Sequence, residues 1–305
     1  MEYRYYTADV FTDKAFGGAQ IAVFPEADKL DSNTMQRIAS EINLSETVFL
    51  SQCEAPSSIG LSKRMRVFTP YQELDFAGHP IIAAAYILTK TGQISSKDET
   101  AITFEQNIGP IKAYVSNTLE GSPFIQYSMT CKASVDSFVP GNQELSEILS
   151  LSNSSEISSA NFHSKLITTE SSYLVIPCDN LESLQNAHFD AKAWARSSAP
   201  STNAGHLLLF SKSTYTSKAN FHLRLLGPTI GDEDPPVGSA LTAFSSYLAS
   251  FHSLRQGTYT FAVERGTPDT RLSLLQVEMD NKENQTIVLR IGGPAVLMTQ
   301  STLYL

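Results

Sequence analysis

Arg66-Val67-Phe68-Thr69-Pro70, followed by Gly78-His79-Pro80-Ile81-Ile82-Ala83-Ala84-Ala85-Tyr86-Ile87-Leu88, has a second version far downstream. There the chain reads Arg224-Leu225-Leu226-Gly227-Pro228, then Gly238-Ser239-Ala240-Leu241-Thr242-Ala243-Phe244-Ser245-Ser246-Tyr247-Leu248. Each copy is an arginine-led strand ending at proline, an acidic loop, and a glycine that opens an alanine-rich apolar helix. A β-rich stretch with a Thr-Phe pair follows each, Thr103-Phe104 and Thr260-Phe261. Self-similarity in fixed order marks a repeated architecture, and two copies read as a duplicated domain.

A helix that is apolar nearly all round must be enclosed by other structure. The flanking segments are short, alternating and β-branched, the pattern of antiparallel sheet. The expected fold is therefore α+β, with two pseudo-symmetric domains, each a curved, mainly antiparallel, barrel-like sheet around a central helix. The polar stretch Asn117–Gly121 marks the boundary. Residues 1–118 form the first domain, 119–292 the second, and the strand-like end, 293–305, returns to the first.

Upstream of the first copy the pattern predicts a strand over Tyr3–Phe11, a turn at Phe16-Gly17-Gly18 and a strand over Gln20–Phe24 stopped by Pro25. Ser32–Ile42 reads as a helix capped by Asp31 or Ser32, with Met35, Ile38, Ala39 and Ile42 on one face. Thr47-Val48-Phe49-Leu50 is the next strand, entered through Ser45-Glu46. The serine-rich run Ser150–Ser159 reads as a surface loop.

Composition excludes several classes. The chain has 305 residues, 42% hydrophobic, enough for a full core without staples. Lys and Arg total 22 against 31 Asp and Glu, for a net charge of −9. That balance repels phosphate backbones and anionic membranes, so neither nucleic acid nor a membrane is an expected partner. The longest apolar run, near Pro80–Leu88, is less than half of the ~20 residues a spanning helix needs. Met1–Tyr6 lacks the basic start and apolar core of a secretion signal, so a cytoplasmic setting is expected. Cys53, Cys131 and Cys178 are odd in number and widely spaced, which predicts reduced thiols rather than a disulfide framework or zinc motif. Phosphate-binding, dinucleotide and zinc-protease motifs are missing and the six histidines are scattered, so no cofactor or metal is expected.

The chemistry falls at the two loop–helix junctions. A helix N-terminus presents unpaired N–H groups and a partial positive charge, a receptor for a carboxylate or a developing oxyanion. Gly78-His79 opens one helix and Gly238-Ser239 the other, and glycine permits close approach of a ligand to the backbone. About a pseudo-twofold axis, both ends would face one cleft holding a small anionic molecule. Glu46, beside an apolar strand, would have its pKa raised by desolvation and carry a proton near neutral pH. His79 is a second acid/base or a hydrogen-bond donor. Asp234 would orient a substrate amine or His79. Arg66 and Arg224 read as structural, paired with carboxylates.

These residues carry a family resemblance that runs almost end to end. Asp9-Val10-Phe11-Thr12 with Phe16-Gly17-Gly18, Asn43-Leu44-Ser45-Glu46-Thr47-Val48-Phe49, and Phe76-Ala77-Gly78-His79-Pro80 resemble the PhzF-like (phenazine biosynthesis) proteins of the diaminopimelate-epimerase-like fold. So do Glu233-Asp234-Pro235 with Gly238-Ser239-Ala240, and Gly292-Gly293-Pro294-Ala295. The resemblance implies a cofactor-free, homodimeric isomerase of a small carboxylate-bearing metabolite. The phenazine member moves a proton along trans-2,3-dihydro-3-hydroxyanthranilate, from C3 to C1. Carried over by motif, Glu46 is the proton shuttle, His79 and Asp234 bind and polarise substrate, and Ser45, Gly78, Gly238 and Ser239 hold it.

Three stretches depart from the family. Gly18-Ala19-Gln20 replaces Gly-Asn-Pro, Pro236-Val237 replaces Ala-Thr before Gly238, and Glu264-Arg265-Gly266 replaces Glu-Gln-Gly. Two alternatives compete with the isomerase: a racemase or epimerase acting on an amino-acid-like substrate, and a non-catalytic binding protein. The two opposed thiols of the wider fold's racemases correspond here to Ala77 and Asp234, which argues against the first.

Overall fold

The computed structural model describes residues 1–53, 61–94, 100–117, 123–159, 161–228, 238–251, 255–282 and 286–305. The chain forms β1 (Glu2–Val10), β2 (Ala19–Phe24), α1 (Ser32–Ile42), β3 (Glu46–Ser51), β4 (Leu61–Phe68), β5 (Glu73–Leu74) and α2 (His79–Lys90). It continues with β6 (Thr100–Gln106), β7 (Gly109–Asn117), β8 (Pro123–Lys132), β9 (Ser134–Asp136), α3 (Asn142–Ile148), β10 (Lys165–Thr168) and β11 (Ser172–Pro177). Then come α4 (Leu181–Asn186), α5 (Ala191–Arg196), β12 (His206–Ser211), β13 (Phe221–Leu226), α6 (Gly238–Ala249), β14 (Gly257–Arg265), β15 (Ser273–Asn281) and β16 (Thr286–Tyr304). Two compact units result, one of Met1–Met129, Asp269–Leu275 and Arg290–Leu305, the other of Thr130–Pro268 and Gln276–Leu289.

In the first unit the strand order is β1-β2-β3-β4-β6-β7-β8-β16, and β16 pairs back onto β1 to close an eight-stranded barrel. The closing seam is antiparallel, from Glu2 opposite Tyr304 to Val10 opposite Ala295. Every residue of α2 from His79 to Leu88 is buried, packed against β1, β2, β3 and β7. The sheet thus provides the apolar surroundings that a helix without a polar face requires. Each buried Ile or Leu contributes roughly 1.5–3 kcal/mol.

Helix α1 packs against β3 and β4, its Met35, Ile38 and Ala39 set on Phe24, Phe49 and Phe68. Of the two candidate caps, Asp31 does the capping, accepting from the Thr34 N–H at 2.9 Å. Asn43 ends α1 in the left-handed region, φ 53°, and turns the chain into Leu44-Ser45-Glu46 at the mouth of β3. β1 stops one residue earlier than the pattern predicts because Phe11 takes φ 61°, which no strand accommodates. Gly18 has φ +59°, and a Cβ there would run into the Val10 carbonyl, 2.9 Å from its carbon.

The second unit repeats the pairing scheme. β1–β2 is antiparallel, β2–β3 parallel, β3–β4 antiparallel and β4–β6 parallel. The series β10–β11, β11–β12, β12–β13 and β13–β14 alternates in the same way. Arg66 lies opposite Phe49, and Arg224 opposite Leu209. Superposing the two arginines matches Glu46 with His206, since Glu46 faces Ile21 and His206 faces Tyr173. It also matches Glu105 with Glu264, which face Arg64 and His222. Thr103-Phe104 and Thr260-Phe261 do not coincide in this register. Phe104 falls on Val263, so that element of the sequence repeat is fortuitous.

Here the core is aromatic. Phe244 and Tyr247 of α6 meet Phe210, and Phe244 also meets Phe221 and Phe261. The short helices α3, α4 and α5 build a second cluster around Leu145, Ile148, Leu174 and Leu184. Part of the serine-rich run joins it, because Ile157 is buried there. Among the described residues, no helix is long and apolar enough to cross a membrane.

Truncating Ile81 to Ala removes packing from the fully buried face of α2. The expected loss is about 2–5 kcal/mol, measured by urea unfolding.

Candidate active site

Glu46 is the first residue of β3, His79 the first of α2, and the barrel brings them together. Glu46 Oε2 and His79 Nε2 are 2.8 Å apart. The side chains are 12% and 5% exposed. A carboxylate only accepts, so Nε2 carries the shared proton. Ser45, just before, donates its hydroxyl to the Gln20 carbonyl at 3.3 Å, tying the entry of β3 to β2.

The electrostatics differ from the sequence expectation. Burial on its own lifts the Glu46 carboxyl, as predicted. The charge and hydrogen bond of His79 and the hydrogen bond of Ser45 outweigh it, and Glu46 sits below the ordinary carboxylate value. The resting group is an ionised base rather than a stored acid. The sequence marks His79 as a functional residue, but its effect on the carboxyl shows only once the fold sets the two side by side.

The α2 N-terminus is uncapped. Gly78 stands at the cap position, no side chain bonds to it, and Pro80 follows within the first turn. Among the described residues the N–H groups of Gly78 and His79 find no acceptor. Gly78 is not open to a ligand on its side-chain face, however. A Cβ there would overlap the Tyr127 hydroxyl and lie 2.6 Å from Tyr127 Cζ. On that face the glycine makes room for a tyrosine.

Three groups escaped sequence reasoning. Gln106, the last residue of β6, is buried and grips the backbone of Ala77 at both ends: the Ala77 N–H donates to Oε1 at 3.0 Å, and Nε2 donates to the Ala77 carbonyl at 3.1 Å. This clamp fixes the residue before Gly78-His79. Tyr127 enters from β8, where period-two alternation turns Ile125 and Tyr127 inward. Its hydroxyl is buried without a partner among the described residues, at a cost of about 1–3 kcal/mol. Asp9, fully buried at the end of β1, accepts from the Phe16 N–H at 2.8 Å and pairs with Arg271. Arg271 donates to the carbonyls of Gly18 and Gly17 at 2.9 and 3.1 Å, fastening the loop before β2.

Asp234 lies outside the described residues. Gly238 and Ser239 open α6, and their side chains also lie outside that description. Arg66 behaves as expected, forming an ion pair with Glu73 at 2.5 Å. Arg224 turns its Nη1 to main chain. It donates to the carbonyls of Leu184, Gln185 and Ala187 at 2.6, 2.8 and 3.0 Å, closing the end of α4. The three cysteines are free. Cys131 and Cys178 are buried, and burial pushes the Cys178 thiol up to about 12. No group of His, Cys, Asp and Glu able to hold a metal occurs among the described residues.

The model of the phenazine biosynthesis-like protein family matches residues 8–301. The chain belongs to that family. It is 29% identical over 304 residues to an uncharacterized isomerase of Mesorhizobium japonicum, covering 99% of this chain and 98% of that one. It is 26% identical over 306 residues to trans-2,3-dihydro-3-hydroxyanthranilate isomerase of Pseudomonas chlororaphis, covering 99% and 100%. The crystal structure of a Bacillus anthracis PhzF-family phenazine biosynthesis protein superposes with a TM-score of 0.84 at 22% identity, over 100% of both chains. The fold is the α+β, diaminopimelate-epimerase-like one, and isomerase- or epimerase-type function goes with the family.

Replacing Gln106 with Met leaves the Ala77 N–H and carbonyl buried without partners. At about 1–3 kcal/mol for each orphaned group, the expected destabilisation is about 2–6 kcal/mol by urea unfolding.

Proposed function

We propose that the protein is a cofactor-independent acid/base isomerase of a small carboxylate-bearing metabolite, with Glu46 as its proton shuttle. The buried Glu46–His79 pair, set at the uncapped start of α2, carries this reading. Ionised Glu46 takes a proton from a carbon next to an activating group. The electron pair left behind shifts the substrate double bond. The Glu46 carboxylic acid, whose proton exchanges with solvent, then returns a proton to another carbon. No atom is gained or lost, and one base serving both steps confines the transfer to one face of the substrate.

His79 holds one carboxylate oxygen through Nε2 and fixes the direction of the other. Orientation of this kind supplies much of the rate in proton transfers between fixed partners. The N–H groups at the start of α2 stabilise negative charge on a substrate carboxylate or developing enolate. Asp234, Gly238 and Ser239 enter the reading by family motif: Asp234 polarises substrate, and the other two hold its carboxylate. The relative from Pseudomonas chlororaphis makes trans-2,3-dihydro-3-hydroxyanthranilate the first molecule to offer. The Gly18-Ala19-Gln20 and Pro236-Val237 departures favour a substrate of altered outline with the same carboxylate.

Deuterium wash-in tests the shuttle. In heavy water the wild type exchanges a carbon-bound proton of a turned-over substrate, and Glu46→Gln slows exchange by about 10²–10⁴-fold. Equal exchange in both proteins rules the shuttle out. The pH profile gives an independent check. Glu46 is held below its ordinary value, so the base form persists as pH falls through that value, about 4.3. The acid limb of exchange belongs beneath it, whereas a carboxyl raised by burial alone would place the limb above.

A further inference from the structure

We propose that the Tyr127 hydroxyl is a substrate-contacting donor, binding the anionic oxygen of a carboxylate held at the N-terminus of α2. This deepens the isomerase reading and rests on it for the identity of the site, though not on Glu46 being the shuttle. Tyr127 is fully buried, and its hydroxyl meets no acceptor among the described residues. The hydroxyl lies against Gly78, on the spot where any other residue would carry its Cβ. A core position needing only volume would take Phe, which packs the same ring without burying a polar group. Here the polar tip is placed at the most crowded point of the ring's environment, and the chain gives up a side chain at position 78 to admit it. The neighbouring polar groups are the N–H groups of Gly78 and His79, both donors without acceptors among the described residues. The hydroxyl beside Gly78 and the two N–H groups at the start of α2 are thus donors without an acceptor among the described residues, and together they offer a receptor for an anion.

The ligand class follows from that geometry. A single-atom anion uses one or two donors, while a carboxylate offers two oxygens, one for the helix N–H groups and one for the phenol. Burial holds the phenol in its protonated form, so it stays a donor at neutral pH. A carboxylate at this helix end is expected from the sequence on general grounds, and the structure adds the residue that reads its second oxygen.

Anthranilate serves as the probe, its affinity measured by calorimetry for wild type, Tyr127→Phe, Glu46→Gln and the double variant. Tyr127→Phe is expected to weaken binding about ten- to hundredfold, in keeping with loss of a hydrogen bond to a charged group, whether introduced into the wild type or into Glu46→Gln. Its Tm is expected to stay level or rise, because an unpartnered hydroxyl leaves the core. Unchanged affinity in Tyr127→Phe overturns the proposal, as does a wild type that fails to bind millimolar anthranilate. A Tm drop of several degrees with affinity intact assigns the hydroxyl to structure, through a buried water, and overturns it too. The shuttle reading fails separately, by deuterium exchange that survives Glu46→Gln, and leaves the affinity ratio untouched.

Discussion

A helix with no polar face has one place left to present polar groups, which is its end. α2 is buried along the whole run from His79 to Leu88, and the barrel of the first unit closes around it. Its flanks can take part in nothing but packing. Its first turn, by contrast, brings unpaired N–H groups to the end of a dry interior, where electrostatic interactions are stronger than in water. The elements that contribute to the site are therefore those whose ends reach that turn: β3 through Glu46, β6 through Gln106 and β8 through Tyr127. Enclosure of an apolar helix and assembly of a polar site are one structural decision.

The parts of this arrangement that were legible in the sequence share a cause. α2 and α6 are apolar on all sides, and no other structure than an enclosing sheet satisfies them. Ser32–Ile42 combines a cap with a one-sided apolar stripe, and it forms over those bounds. Glu46 and His79 were legible because each stands at the junction of a polar loop with an apolar element. Gln106 and Tyr127 were hidden because their partners are backbone atoms, which have no residue type to signal them. Gln106 bonds to the main chain of Ala77, and Tyr127 is matched to the absence of a side chain at Gly78. The short helices α3, α4 and α5 fell below the length at which a period of 3.6 declares itself. The sign of the Glu46 shift was missed for a related reason. Desolvation can be read from an apolar neighbourhood, but a partner 33 residues away cannot be weighed until the fold brings it to 2.8 Å.

Duplication left two equivalent sets of positions, and the chain has used them differently. Where the first unit places Arg64 opposite Glu105 on β4 and β6, the second places His222 opposite Glu264, fully buried. Glu264 also accepts from the Thr216 N–H and hydroxyl, both at 3.1 Å, and the turn at Tyr215-Thr216 depends on it. The Gln106 clamp on Ala77 has Arg265 as its counterpart, at the family's Glu-Gln-Gly position. A glutamine there can grip a peptide from both sides, with one donor and one acceptor. A guanidinium can only donate, so Arg265 cannot repeat that two-way grip.

The same divergence reaches the proton-bearing position. Glu46 at the mouth of β3 corresponds to His206 at the mouth of β12. Glu46 has a hydrogen-bonded partner in His79 and is held below the ordinary carboxylate value, whereas His206 stacks on Tyr173, and burial pulls its pKa down toward the neutral imidazole. Its Nδ1 is buried without a partner among the described residues. An ionised carboxylate and a neutral imidazole cannot exchange roles as a matched pair of bases. A racemase that removes a proton from one side and delivers another from the opposite side needs two groups of comparable strength in complementary protonation states. The thiol pair of the wider fold answers instead to Ala77 and Asp234, and neither of those residues is a thiol. The single base proposed at Glu46 needs no such matched partner.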